Sequence, residues 1–321
     1  MLVTGATGFL GATVSGRLER EGHAVRRMMR TADATSAVES VIVRDLTDVE
    51  AIADAMKEID SVVHMAARVH VMKQGPESAA QLWRTNVEGT RNLLDAAVAA
   101  GVRKFIFVSS VKAVGEENDR PWNEDTEPHP REPYGMSKLE GERIALEVGR
   151  HSDMHVIVLR LPIAYGPRMK GNMLRLFGAI RRGVPLPFRS VHNRRSMVCS
   201  ANVAEAITSV LASPAARGQT FFVSDGEDLS TPELLRKAGA ALGRTPRLFS
   251  VPENLLRTAG KAGDAVSRLT EFPISSEMMQ KLLGSLTVDI GKLRRLTSYR
   301  PGVSVTEGLA LTARWYLEGG R

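Results

Sequence analysis

One cysteine, Cys199, stands in 321 residues. No internal disulfide forms, the usage suits a reducing compartment, and the expected role of the thiol is a small core residue. No apolar run approaches the roughly 18–20 residues of a membrane span, so insertion in a bilayer is not expected. No charged segment precedes an apolar one at the start, so a secretory leader is not expected either, and the expected location is the cytoplasm. The opening strand reads as if its first residues were missing, which would weaken it. Aromatic residues make up only 5%, and none interleaves with the basic ones in a nucleic-acid-binding stripe. The net charge of +7 is therefore read as anionic small ligands plus solvated surface, with no nucleic-acid partner. Repeats and low-complexity tracts are absent. His64 and His70 lack the Cys or carboxylate companions of a metal site, and no metal is expected.

What is present is concentrated in two motifs. Gly5-Ala6-Thr7-Gly8-Phe9-Leu10-Gly11 follows apolar Leu2-Val3 and opens a helical pattern at Leu10, Val14 and Leu18. Glycines at that junction permit a tight turn and close approach of the backbone to a pyrophosphate, which would rest on the positive end of the helix. Tyr134 and Lys138 lie four apart in Tyr134-Gly135-Met136-Ser137-Lys138, on one face of a helix. An ammonium beside a phenol is expected to lower the phenol's usual pKa of about 10, as suits a general acid/base.

Between the motifs, strand and helix alternate as in a doubly wound parallel α/β sheet. Strands are predicted at 24–29, 41–43, 61–64, 104–108 and 155–159. Helices are predicted at 47–57, opened by the capping box Thr47-x-x-Glu50, and at about 79–100 and 133–150. Ligands of such sheets bind beyond the carboxyl ends of the strands. Gly5–Gly11, His64–Ala67 and Ser109-Ser110 each follow a strand and converge there. After about residue 165 the pattern is broken repeatedly by Gly and Pro, with helices predicted at 201–212 and 230–242. For the second, Ser230-x-x-Glu233 and Thr231-Pro232 offer competing starts. The length suits one elaborated domain or two.

The ordered motifs resemble the extended short-chain dehydrogenase/reductases, in particular the NAD-dependent epimerase/dehydratase family acting on nucleotide sugars. The match runs from the glycine turn through Asp45-Leu46, His64-Met65-Ala66-Ala67, Asn86-Val87-Glu88-Gly89-Thr90 and Ser109-Ser110 to the Tyr/Lys pair. It continues through Arg160-Leu161-Pro162, Tyr165-Gly166-Pro167 and Asn193-Arg194-Arg195-Ser196. The resemblance implies a Rossmann-type domain over 1–165 and, over 166–321, mainly a smaller substrate-binding lobe with segments returning to the main sheet. It implies catalysis by Ser110, Tyr134 and Lys138, with Ser109 read as a strand-terminating turn. The cofactor would contact Gly5, Thr7, Gly8, Phe9, Leu10, Gly11, Asp45, Leu46, Met65, Ala66, Ala67, Pro162, Tyr134 and Lys138. A UDP-sugar would meet Arg68, Lys112, Asn172, Arg194 and Arg195. Family members often pair through two helices, so a homodimer is expected, with Leu139, Ile144 and Leu146 as apolar surface unless they face the sheet.

The second strand ends Met28-Met29-Arg30, without the carboxylate that holds the ribose of NAD. Arg30, helped by Arg26 or Arg27, would meet a 2′-phosphate, which favours NADP(H) and keeps NAD(H) open. Dehydratases of the family carry Asp-Glu after the catalytic hydroxyl. Here Val111-Lys112-Ala113 argues against dehydration and leaves 4-epimerisation or reduction of a 4-keto sugar. Ser109–Lys112, Gly115-Glu116 and Val223–Leu234 resemble a bacterial subgroup that reduces UDP-2-acetamido-2,6-dideoxy-4-hexulose to UDP-N-acetylquinovosamine, which implies a setting such as O-antigen assembly. The alternatives are a UDP-glucose or UDP-N-acetylglucosamine 4-epimerase, an alcohol- or flavonol-type reductase, and a non-catalytic NADP-sensing regulator.

Overall fold

The computed structural model describes residues 1–31, 39–69, 76–266 and 275–320; His70 lies outside them. In chain order the elements are β1 (Leu2–Thr4), α1 (Phe9–Arg20), β2 (Arg26–Met29), β3 (Ser40–Ile42), α2 (Val49–Ala55), β4 (Ser61–His64), α3 (Pro76–Trp83) and α4 (Gly89–Ala99). There follow β5 (Lys104–Ser110), α5 (Pro133–Arg150), β6 (His155–Leu161), β7 (Ile163–Tyr165), α6 (Asn172–Arg181), β8 (Arg195–Cys199), α7 (Ser200–Ala212), β9 (Thr220–Phe222) and β10 (Asp228–Leu229). The chain closes with α8 (Thr231–Ala241), α9 (Glu253–Val266), α10 (Ser276–Leu283), α11 (Gly291–Leu296) and α12 (Val305–Leu317).

Seven parallel strands form the main sheet in the order β3-β2-β1-β4-β5-β6-β9. The order reverses beside β1, and that switch point is where open α/β sheets bind ligands. Because successive strand residues point to opposite faces, Ile106 and Val108 join the core under α1 and α7, whereas Phe105 and Phe107 join the core under α2, α4 and α5. A second sheet, β10-β8-β7, carries the C-terminal lobe on its own core around Tyr165, Phe177, Leu235 and Leu309. Strand β1 is three residues long yet wholly buried, and it is paired on both sides.

Several local expectations change. Helix α2 is capped by Asp48, whose carboxylate accepts from the Ala51 amide, and not by Thr47. The long helix expected at 79–100 is interrupted by a π-helical turn over Arg84–Glu88. Strands β5 and β6 run two residues further than the apolar pattern suggests. For α8 the Ser230/Glu233 capping box forms, and Pro232 sits inside the first turn. Leu139 and Ile144 are buried and Leu146 packs against the sheet core. The exposed apolar residues on these helices are Trp83, Val98 and Met136. Cys199 is buried in the lobe core, where desolvation pushes its thiol up.

Candidate active site

A cleft of about 830 Å³ opens along the carboxyl ends of β1, β2, β4, β5 and β6. Its near end is the turn from Gly5 to Gly11. Gly5 has φ of +67°, and a Cβ there would stand 2.9 Å from the Ala66 nitrogen. A Cβ at Gly11 would stand 2.0 Å from the Gly5 carbonyl oxygen. Only glycine permits both contacts. Helix α1 starts after Gly8 with no side-chain cap and no acidic residue in its first turn. Its first amides and dipole thus lack a competing carboxylate, which fits an anionic diphosphate.

The turn's floor is held from below. The hydroxyl oxygen of Thr4 accepts from the Met65 and Ala66 amides at 3.2 and 3.1 Å and lies 2.7 Å from His64 Nδ1. His64 Nε2 is 3.0 Å from the Thr90 hydroxyl, which donates to the Asn86 carbonyl. The π-turn swings Asn86 inward, where its amide accepts from Arg68 N at 2.8 Å and donates to Arg68 O and to Ser137 Oγ, each at 3.0 Å. Burial, followed by the charge of Lys138, pushes His64 down to about 3 from 6.5. Being neutral when folded and protonated below 6.5 when unfolded, it withdraws stability as pH falls from 6.5 toward 3. At pH 5 the loss is about 2 kcal/mol. Urea unfolding at pH 7.5 and 5.0 should show it in the wild type and not in His64→Gln.

Tyr134 and Lys138 sit on the first turns of α5, with Ser110 at the end of β5 and all three in the cleft wall. Tyr134 is half-buried. Lys138 is buried, donates to the Val108 carbonyl at 2.8 Å and lies 4.0 Å from the centre of the Phe107 ring. The expected lowering of the phenol is reversed. Desolvation pushes Tyr134 up to about 12, opposed by its hydrogen bond with Ser110. Desolvation likewise brings Lys138 down to about 7, opposed by Glu142. At neutral pH the phenol therefore carries its proton, the form of a general acid.

Ser109 is part of β5 rather than a turn. Its hydroxyl donates to Glu142, which also receives Arg160 Nη2 at 2.7 Å and Nε at 3.1 Å. Past the glycine turn, at the ends of β2 and β3, the cleft is lined by Met29, Arg30, Arg44, Asp45 and Leu46. Arg26 and Arg27 do not assist there. Arg26 bonds Glu39 and the carbonyls of Ala55 and Lys57, and Arg27 grips Glu19 with both fork nitrogens. Asp45 accepts from the Thr47 amide, which, aided by Arg84 at 3.4 Å, lowers its pKa.

Met65, Ala66, Ala67, Arg68, Lys112, Pro162 and Arg195 also line the cleft. Arg195 is buried, donates through Nη1 to the Gly284 carbonyl at 2.9 Å and leaves Nε without a partner; burial brings it down to about 10. Two expected substrate residues stand elsewhere. Asn172 is exposed at the start of α6, and Arg194 is exposed with Nη2 3.9 Å from Asp228. Neither belongs to the cleft lining. Arg194 immediately precedes strand β8 and faces solvent, whereas Arg195 begins the strand facing inward. Sequence reasoning missed Arg44, Ser196 and Glu132, the last paired with Lys112 at 2.9 Å. The adjacency of Arg44 to Asp45 and the place of Ser196 at the end of the Asn193–Ser196 motif were the available signals. Among the described residues no group of three or more His, Cys, Asp or Glu is placed to hold a metal ion.

Comparison with known proteins agrees with this geometry. Residues 1–223 match the family model described as NAD dependent epimerase/dehydratase family. A UDP-glucose 4-epimerase of Vibrio cholerae is 32% identical over 330 residues, covering 99% of this chain and 95% of the relative. An N-acetyl-alpha-D-glucosaminyl-diphospho-ditrans,octacis-undecaprenol 4-epimerase of Escherichia coli O157:H7 is 26% identical, covering 98% and 94%. Among solved structures, the UDP-glucose 4-epimerase of Thermus thermophilus complexed with NAD superposes with a TM-score of 0.77 at 26% identity, covering 99% of each chain. MoeE5 in complex with UDP-glucose and NAD gives 0.78 at 25%, covering 99% of this chain and 98% of that one. With the glycine turn, the Tyr134/Lys138 helix and the switch-point cleft in place, the chain belongs to the NAD-dependent epimerase/dehydratase family of nicotinamide-dependent, short-chain dehydrogenase/reductase-type enzymes.

Proposed function

We propose that this enzyme reduces the 4-keto group of a UDP-sugar with NADPH, UDP-2-acetamido-2,6-dideoxy-4-hexulose being the substrate and UDP-N-acetylquinovosamine the product. The observation that carries this reading is the placement of Tyr134 and Ser110 together in the cleft wall, with the phenol held in its protonated form by desolvation. A reduction begins with the acid protonated, whereas oxidation of a sugar hydroxyl, the first half of epimerisation, begins with a base. Lys112 in the position after Val111, paired with Glu132, replaces the acidic pair that dehydration would use.

In this reading the cofactor diphosphate rests on the amides at Gly8 to Leu10, with Thr7 and Gly11 flanking it. Asp45 and Leu46 bound the adenine, and Met65 to Ala67 together with Pro162 bound the remainder. The bound nicotinamide supplies a hydride. Ser110 holds the substrate carbonyl oxygen, Tyr134 donates its phenolic proton to that oxygen, and Lys138 holds the ribose beside it. The buried Nε of Arg195 has no partner within the chain, and a substrate diphosphate would supply the missing acceptor, with Arg68 and Lys112 toward the sugar.

Mixing enzyme, NADPH and the UDP-4-keto-6-deoxy-N-acetyl sugar should consume NADPH in proportion to sugar reduced. No consumption, together with equilibration of UDP-glucose or UDP-N-acetylglucosamine with its C4 epimer, would replace reduction by 4-epimerisation. The NADP preference rests on Arg30 and Arg44, two exposed arginines at the ends of adjacent strands. Arg30→Ala and Arg44→Ala should each raise KM for NADPH about tenfold and leave NADH within about twofold, the range for one charge-assisted hydrogen bond. Equal losses for both cofactors would refute the assignment.

A further inference from the structure

We infer that the C-terminal lobe carries a face that docks on an anionic lipid surface. Between Asp153 and Glu205 the chain has no acidic residue and nine arginines and lysines, and between Glu233 and Glu253 it has none and four. Elsewhere the acidic residues outnumber the basic ones, 36 to 30, although the whole chain is net basic. The imbalance is thus a property of this lobe, and the substrate diphosphate uses little of it, because of the basic residues in the first stretch only Arg195 lines the cleft.

The fold brings the two acid-free stretches together. Leu186 N donates to Arg247 O at 2.8 Å, Phe249 N to Leu186 O at 3.1 Å, and Arg189 N to Phe249 O at 3.1 Å. Leu186 and Leu248 form a parallel bridge. In this paired ribbon Leu186 and Phe188 turn into the lobe core and Leu248 packs against it. Their neighbours Arg247, Phe249 and Arg189 are exposed, as alternation along an extended chain requires. Val184 before the ribbon and Leu255 after it are exposed as well, at 41% and 61%, and Phe249 at 45%. Among the described residues, Arg182, Arg189, Arg244 and Arg247 have no carboxylate partner.

Unpaired arginines around protruding apolar side chains match a bilayer interface. The cations meet anionic headgroups, and the apolar tips enter the boundary with the acyl chains. Among the described residues no helix is long and apolar enough to cross a membrane, so the attachment is peripheral and reversible. A nucleic acid would use the same charge without needing Val184 and Leu255, and this makes it the competing outcome. The inference is independent of which sugar the cleft accepts.

Cosedimentation of the full chain with vesicles decides it. Binding to phosphatidylglycerol-containing vesicles should exceed binding to pure phosphatidylcholine at least about tenfold at low salt, and fall away at high salt. Phe249→Ser, and separately Arg182→Glu with Arg247→Glu, should each cut it at least about fivefold. Turnover of soluble substrate should be unchanged, which also shows that the variants are folded. Equal partition to both vesicle types, indifference to the substitutions, or retention by duplex DNA that vesicles do not compete away would each overturn the proposal.

Discussion

Tyr134→Phe is expected to lower kcat by about 10³-fold, within the 10²–10⁴ range for loss of a positioned acid, while dinucleotide affinity stays within about twofold. The substitution removes one oxygen from the end of a ring that otherwise keeps its place on α5. Nothing in the glycine turn or in the cleft wall from Met29 to Leu46 depends on that oxygen. Titration of cofactor fluorescence measures the affinity, and single-turnover reduction measures the chemistry. Loss of binding in parallel with rate would mean that the phenol is a structural prop. A wild-type rate would remove Tyr134 from the mechanism. The pH profile adds a second reading. The phenol, held near 12, and Lys138, brought to about 7, place deprotonation of the lysine, not of the tyrosine, in the neutral range. Activity should therefore fall with an apparent pKa near that of Lys138 as pH rises, because the ammonium that holds the ribose in the proposed reading is lost.

Glu142→Ala is expected to destabilise the fold by about 3–5 kcal/mol, the cost of leaving a buried charge unpaired. The carboxylate is 2% exposed and its arginine partner 7%. Arg160 already has one nitrogen, Nη1, without a partner. Removing Glu142 strands the whole guanidinium, and Ser109 with it. The double variant Glu142→Leu with Arg160→Met should recover most of the loss, since replacing both ions by apolar groups removes the desolvation cost too. Chemical denaturation of the wild type, Glu142→Leu, Arg160→Met and the double variant closes the cycle. A single-variant cost below about 1 kcal/mol would show that water reaches the pair.

Much of this was legible in the sequence because it is encoded by short spacings. Three glycines at intervals of three and a Tyr and Lys four apart specify geometry within one turn or one helix face. The alternation of Phe105, Ile106, Phe107 and Val108 likewise declares a strand buried on both sides. Features that depend on which way a side chain points in the assembled molecule were not legible. Thr47 and Asp48 are both good caps, but the Thr47 hydroxyl accepts from Arg84 and the Ala51 amide is left to Asp48. The pattern of 79–100 reads as one helix because a π-turn inserts a residue without altering composition. Asn172 and Arg194 have suitable chemistry, yet one heads an exposed helix and the other faces outward. The phenol's direction of shift was misjudged because spacing reveals the neighbouring cation but not the loss of water around both groups.

The inward turn of Asn86 makes a single rigid coupling out of two parts that the chain encodes 69 residues apart as Arg68 and Ser137. One amide grips both backbone groups of Arg68, in the cleft lining, and the hydroxyl of Ser137, on the helix between Tyr134 and Lys138. Moving the Arg68 loop away from Asn86 therefore breaks hydrogen bonds that also tie it to the helix of Tyr134. In the proposed reading, occupancy of the cleft beside Arg68 and alignment of the Tyr134 phenol are linked through this one amide.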